Sequence, residues 1–266
     1  YALITKEKKI ILGILTADCV PILIYDKKLK IVSAIHAGWK GAYKGIIKKE
    51  TLPDGNIGSA QAFFFNLRLD KFKDPKIREA IGLMFNFEWS NKTLFFGLYD
   101  RVTSFWENSA MQASGRISKE ELAILNPLKK YLPESTFNDP VFIPPTSKPD
   151  KVDRKNRRKA TKLFKDAGWN LVDGKLKNKK GNIFSLEILN YSPAFDRIIN
   201  PFIENLKLLG IEAKHTRIDS TQYTERVRNF EWEIITSTYG NSLTPGIELV
   251  QQYSSKTAAN IMITYR

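Results

Sequence analysis

A single cysteine, Cys19, stands in the 266 residues, with two histidines, His36 and His215. One cysteine excludes an internal disulfide and leaves the redox compartment open. No apolar run reaches the roughly eighteen residues that span a bilayer. The longest candidate, IILGILTADCVPILIY, is interrupted by Thr16, Asp18 and Pro21 and reads as buried strands with a turn. There is no Gly-rich phosphate loop and no G-x-S-x-G elbow. RNP patterns, zinc fingers and helix-turn-helix signatures are absent too. No basic-then-apolar leader stands ahead of Tyr1, so a secretion signal has been removed, was never there, or lies outside this chain.

Acids are in short supply: 28 Asp and Glu against 42 Lys and Arg leave a net charge of +14. Such a charge raises nucleic acid as a partner, but its distribution argues against one. The densest run, KVDRKNRRKATKLFKDAGW (151–169), spaces Val152, Ala160, Leu163, Phe164 and Ala167 as the apolar stripe of a helix, with the charges facing water. No nucleic-acid partner is expected. A hydrophobic content of 42% over this length supports a sizeable core, as one large domain or two lobes.

Residues 1–50 carry short β-type runs, KIILGILT, VPILIYD and IVSAIHA. Residues 51–59 are turn chemistry, with Pro53, Asp54, Gly55, Gly58 and Ser59, and read as a linker ahead of a second part over 60–266. That part opens with AQAFFFNLR, a strand whose Phe63, Phe64 and Phe65 are too continuous for a surface edge. DPKIREAIGLMFNFEWSNKTLFFG then has helical spacing, with Asp74 as N-cap and Pro75 at the first helical position. In SKEELAILNPLKKYL, Ser118 and Glu121 form a capping box. The aromatics Phe85, Phe87, Trp89, Phe95, Phe96, Tyr99, Phe105 and Trp106 read mostly as core, and Arg78 as an ion-paired surface residue.

The last third alternates: strand NIFSLEILN, helix AFDRIINPFIENLKLLG, strand IEAKHTRID, helix TQYTERVRNF, strand WEIITSTYG. This order predicts an α/β fold, a mixed sheet with covering helices. In open sheets of this kind ligands sit beyond the carboxyl ends of the strands. The candidates there are Tyr191 and Ser192 after one strand, and Tyr239, Gly240, Asn241 and Ser242 after another. Tyr239 offers a flat wall with a polar tip, Gly240 a close approach to the backbone, and Asn241, Ser242 and Thr244 neutral donors and acceptors.

Two resemblances attach to these stretches. TADCVPILIYD and AIHAGWKGAYKGI resemble the laccase-like polyphenol oxidase family, associated with purine nucleoside phosphorylase activity. The resemblance implies Cys19 and His36 as zinc ligands, with the family's further upstream histidine lacking a counterpart. The remote His215, Asp18 and Asp26 are the other donors available to complete a set, and an incomplete set loses most of its affinity. Residues 56–255 resemble the family 5 solute-binding proteins of bacterial ABC importers, in the microcin-uptake-type subgroup. The residues carrying this are FFFNLRLDKFKDPKIREAIGLMFNFEWSNKTLFFGLYDRVTSFWENSAMQASG, DAGWNLVDGKL and WEIITSTYGNSLTPGIE.

This second resemblance implies a single lobe of a periplasmic-binding-protein type II fold, preceded by a short β-rich fragment. It implies an oligopeptide ligand, an ABC-type membrane permease as partner, a periplasmic location, and no catalysis, cofactor or direct membrane insertion. The receptor's larger, amino-terminal lobe would lie outside this chain. In the family a tryptophan often stands where Tyr239 is, followed shortly by an acid that meets the peptide's amine; here the first acid is Glu248. The resemblances leave zinc-dependent phosphorolysis or phenol oxidation by residues 1–49, or a chimera without function, as alternatives to peptide binding.

Overall fold

The computed structural model of the chain describes residues 2–13, 20–37, 58–149, 153–240, 242–244, 246–254 and 256. It divides into two units, Tyr1–Asp54 and Gly55–Arg266. The first unit holds three antiparallel strands, β1 (Ala2–Thr5), β2 (Val20–Asp26) and β3 (Ile31–Ala37), in the order β1-β3-β2. Asp26 Oδ1 closes the β2–β3 turn by accepting from the backbone N–H groups of Lys28 and Leu29, at 2.8 and 2.9 Å. VPILIYD and IVSAIHA are strands as expected. KIILGILT is not, over its described residues 9–13: the turn at Lys8–Lys9, with Lys9 at φ +67°, ends the pairing first, and ALIT supplies the third strand.

The second unit runs β4 (Ala60–Phe65), α1 (Pro75–Gly82), α2 (Phe87–Leu94), α3 (Lys119–Leu125), the single turn α4 (Ser135–Asn138), α5 (Arg154–Asp166), β5 (Trp169–Val172), β6 (Lys175–Asn178), β7 (Ser185–Asn190), α6 (Asp196–Lys207), β8 (Glu212–Arg217), α7 (Ser220–Arg228), β9 (Ile234–Tyr239) and α8 (Ile247–Tyr253). Its main sheet has the order β4-β9-β7-β8. β7 is parallel to both β8 and β9, and β4 is antiparallel to β9, with Ala60 opposite Tyr239. This is the α/β mixed sheet that the alternation predicts.

Alternation along β7 assigns the two faces. Leu186 and Ile188 enter the larger core with Ile77 and Ile81 of α1, Phe164 of α5 and Leu206 of α6. Leu189 faces the other way, into a smaller cluster with Trp232 and Ile235 that Tyr223 and Val227 of α7 cover. Both faces are therefore clothed, which explains the three consecutive phenylalanines differently from the sequence expectation. β4 is an edge strand; Phe63 and Phe65 pack on the larger core and Phe64 on the smaller one.

The long helical stretch from Asp74 is two helices. Asp74 accepts from Lys76 N and Pro75 occupies the first turn, as expected. Asn86 then starts a second helix: its Oδ1 accepts from Trp89 N at 2.9 Å and its Nδ2 donates to the Lys148 carbonyl at 2.8 Å. A short amide side chain that competes for backbone groups breaks a helix that apolar spacing alone would continue. The Ser118–Glu121 capping box is present, and Pro127 follows α3 in a tighter 3-10 turn. Ala160 and Phe164 are buried on α5, with Leu163 and Ala167 packed beside them; Val152 lies outside the described residues. Arg78 makes no ion pair among the described residues; its guanidinium donates to the Phe72 and Lys73 carbonyls at 2.5 and 2.9 Å.

The aromatic run is less buried than expected. Phe85 packs on the core, but Phe96, Tyr99 and Phe105 are 60%, 57% and 50% exposed. Among the described residues no helix is long and apolar enough to cross a membrane.

Candidate functional site

The chain leaves β7 through α6 to β8 on one side, then returns through α7 to β9 on the other. Right-handed crossovers in opposite directions put α6 and α7 on opposite faces and make β7 the switch point of the sheet. The carboxyl end of such a strand is where open α/β sheets carry their ligands. Asn190 at the end of β7 with Tyr191 and Ser192 beyond it, Asp219 after β8, Tyr239 at the end of β9 with Gly240 beyond it, and the start of β4 all lie along this edge.

Asn190 builds the first part of it. The residue is 1% exposed; its Nδ2 donates to the Ser192 carbonyl at 2.6 Å and its Oδ1 accepts from Ser192 N at 3.0 Å. The side chain thus closes the turn and turns Tyr191 and Ser192 outward. Tyr191 is exposed, its ring 4.8 Å from that of Tyr223 on α7, and the Tyr223 hydroxyl points at the Thr236 carbonyl of β9 at 3.5 Å. The Ser192 hydroxyl has no hydrogen-bond partner among the described residues. Asn190→Ala should cost about 1–3 kcal/mol, because it strands the Ser192 amide and carbonyl. Urea unfolding reads this as a lower midpoint with an unchanged slope.

Tyr239 is 4% exposed, its ring 4.7 Å from that of Phe105. Phe105, not Tyr239, presents the flat aromatic surface at this point. Gly240 is not forced by sterics: a Cβ would meet Ser59 Oγ at an ordinary 3.5 Å. Asn241 lies outside the described residues.

Ser242 and Glu248 are joined. The Ser242 hydroxyl is 2.6 Å from the Thr244 carbonyl and 2.9 Å from Glu248 Oε1, which also accepts from Gly246 N at 2.8 Å. Glu248's own amide, then that of Gly246 and the Ser242 hydroxyl, hold its carboxyl below the usual range. In this arrangement Glu248 ties its loop together.

Sequence reading missed the loop that lies against these residues. Trp106 Nε1 donates to the Ser242 carbonyl at 3.3 Å, and the Glu107 carbonyl accepts from Gly58 N at 3.0 Å. One Glu107 carboxylate oxygen gathers Thr103 N, Thr103 Oγ1 and Ser104 N, and Gln112 Nε2 donates to the other. Burial pushes this carboxyl up, but those four donors outweigh it and hold it below the ordinary value. The visible signal was the dipeptide Phe105–Trp106 in a stretch without helical period.

Cys19 lies outside the described residues, as does the side chain of His36, whose backbone is in β3. His215 sits on β8 of the second unit, its Nδ1 2.9 Å from Asn200 Oδ1. Burial lowers its pKa, with Asp196 opposing. No group of three or more His, Cys, Asp or Glu that could hold a metal occurs among the described residues.

The model of the bacterial extracellular solute-binding proteins, family 5 (middle), matches residues 27–260 and so begins inside the first unit. A probable peptide-binding protein, YejA of Agrobacterium fabrum, is 37% identical over 218 residues, 81% of this chain and 35% of that protein. The YejA protein of Escherichia coli is 34% identical over 193 residues, 72% of this chain and 32% of its own length. The chain thus spans about a third of the length of the curated relatives it matches. Among solved structures, the oligopeptide-binding protein AppA of Bacillus subtilis, in complex with a nonapeptide, is similar in fold at a TM-score of 0.51 and 20% identity, over 80% of this chain and 37% of that one. The unliganded open form of the periplasmic murein tripeptide-binding protein MppA gives 0.51 at 14% identity, over 78% and 33%. The chain belongs to the bacterial extracellular solute-binding proteins of family 5.

Proposed function

We propose that the second unit forms one wall of a site for extended oligopeptides, serving an ABC-type importer from the periplasmic side without catalysis. The observation that carries this reading is the sheet edge at the β7 switch point, where Ser192 follows the exposed ring of Tyr191, itself tilted against Tyr223, and the half-exposed ring of Phe105 lies beside Tyr239. A receptor that accepts many peptides must bind what all peptides share, the backbone amides, and give side chains loosely fitting aromatic surroundings. Tyr191, Ser192, Tyr239, Gly240, Asn241, Ser242 and Glu248 are proposed to contribute, with Tyr239 acting beneath Phe105. The name of the Agrobacterium relative supports the ligand class. Residues 51–59 are proposed to link the two units.

An open edge touches a ligand from one side, whereas tight pockets enclose most of the ligand's surface. Calorimetric and 15N NMR titration with tri- to octapeptides should therefore give a Kd of about 0.1–1 mM, with shifts at Tyr191, Ser192 and the Trp106 indole. Micromolar affinity would refute the single wall; shifts confined to other regions, or none, would refute peptide binding at this edge. The zinc-enzyme alternative rests on Cys19 and His36 alone, and gains no supporting observation.

A further inference from the structure

Among the described residues of this unit, the partly buried cations are, with one exception, paired with oxygen. Lys71 binds Glu233 Oε1 and the Ser185 carbonyl at 2.5 and 2.7 Å, Arg78 binds two carbonyls, Lys177 pairs with Asp173, and Arg226 binds Glu187 and the Glu231 carbonyl. Arg101 is the exception. It is partly buried, its guanidinium carbon lies 5.1 Å from the centre of the Phe87 ring, and among the described residues no carboxylate or carbonyl binds it. Glu88 is near enough for its charge to be felt but makes no ion pair with it, and its carboxylate accepts from Ser147 N at 2.9 Å. Five N–H donors held against an aromatic ring, drawn out of water without an acceptor, are costly unless something supplies the acceptor.

Position makes this more than a packing detail. Arg101 begins the loop whose Phe105 covers Tyr239 and whose Trp106 binds the Ser242 carbonyl. Phe105 is four positions on from Arg101, so their Cα atoms are at most about 14 Å apart, roughly the span of an extended tetrapeptide.

We propose that Arg101 anchors a carboxylate of the bound ligand, its planar fork meeting the two oxygens side by side while the ligand's chain runs toward Tyr191 and Phe105. The proposal rests on the peptide reading for its ligand, but the anion site itself stands on Arg101 alone. Burial also draws the Arg101 pKa down, with Glu88 opposing, so a bound anion would relieve a cost already present. Guanidinium suits this role because it is always charged and binds carboxylates bidentately.

The test follows the Arg101 Nε–Hε signal of the 15N-labelled chain. Acetate, against chloride at equal ionic strength, should shift it saturably; a response identical to chloride overturns the proposal. Trialanine should bind about tenfold or more tightly than trialanine amide, and Arg101→Gln should erase the difference while Arg101→Lys keeps part of it. Equal affinities for acid and amide in the parent chain, or a preference that survives Arg101→Gln, also overturn it. Ala-Ala-Glu-amide separates the sources: recovery of tight binding assigns the site to side-chain carboxylates, and failure to recover assigns it to the peptide's terminus. A saturable acetate shift without any peptide binding sinks the peptide reading and leaves the anion site. Peptide binding that leaves Arg101 unmoved does the reverse.

Discussion

Phe202→Ala is expected to lower the unfolding midpoint of the second unit by about 6–20 °C. Phe202 is 3% exposed on α6, and its ring sits 5.1 Å from Phe63 of β4 and 5.4 Å from Phe85, which follows α1. These three rings join the edge strand, the segment between α1 and α2, and the crossover helix. Removing the middle ring loses its own burial and leaves a cavity that three separate elements would have to move to fill. Such truncations cost about 3–5 kcal/mol, and in a unit of this size each kcal/mol moves the midpoint by about 2–4 °C. A stability of only about 5–15 kcal/mol makes the loss a large fraction of the whole. Phe105→Ala, at a half-exposed ring, is the comparison and should cost far less. A calorimetric midpoint within about 2 °C of the parent for Phe202→Ala would show that this junction does not hold the unit together.

Much of this architecture is legible from residue order, because local chemistry and tertiary demand coincide there. Asp74–Pro75, Ser118 with Glu121, and the alternation from Ser185 to Tyr239 are local signals, and the fold uses each as written. Where the reading went astray, a long-range partner decided. Asn86 breaks a helical run because the Lys148 carbonyl, far along the chain, takes its amide. Phe63 to Phe65 can stand on an edge strand because α7 returns to cover the face that an edge usually shows to water. The turn at Asp173–Gly174, with φ of +50° and +73°, joins β5 to β6. That Asp-Gly pair is a hairpin signal of the ordinary kind, and the sequence reading passed over it. At the candidate site the strand ends were predictable from topology, since β-α-β order places them. What covers them was not: Phe105 reaches Tyr239 across more than a hundred residues, and nothing in the spacing around Phe105 or Arg101 announces it.

Glu187→Gln should give the largest pH-dependent change. Glu187 lies on β7, with its side chain 10% exposed, and accepts from Thr216 Oγ1 of β8 at 2.7 Å and from Arg226 of α7 at 2.6 Å, with Lys214 Nζ at 3.1 Å. One carboxylate thus ties the switch strand to β8 and α7. Burial pushes its pKa up, but the hydrogen bonds from Thr216, Arg226 and Lys214 and the charge of Arg226 outweigh burial and leave it below the ordinary value. A depressed carboxyl pKa means that the unfolded chain takes up the proton first. Its stabilisation is therefore complete above the unfolded value of about 4.3 and is lost as pH falls through the folded one.

Near neutral pH, Glu187→Gln should cost about 2–4 kcal/mol, because it leaves Arg226 partly buried opposite an uncharged amide. As pH falls through the lowered folded pKa, the parent loses the same charge, and the two stabilities should converge. Other carboxyls with lowered pKa, such as Glu107 and Asp153, titrate in both proteins and cancel in the difference. Urea unfolding of both chains from pH 3 to pH 8 provides that difference. A gap that stays constant across the range would mean that the glutamate's shape, rather than its charge, holds β7, β8 and α7 in place. The strand-end edge would then owe its geometry to packing alone.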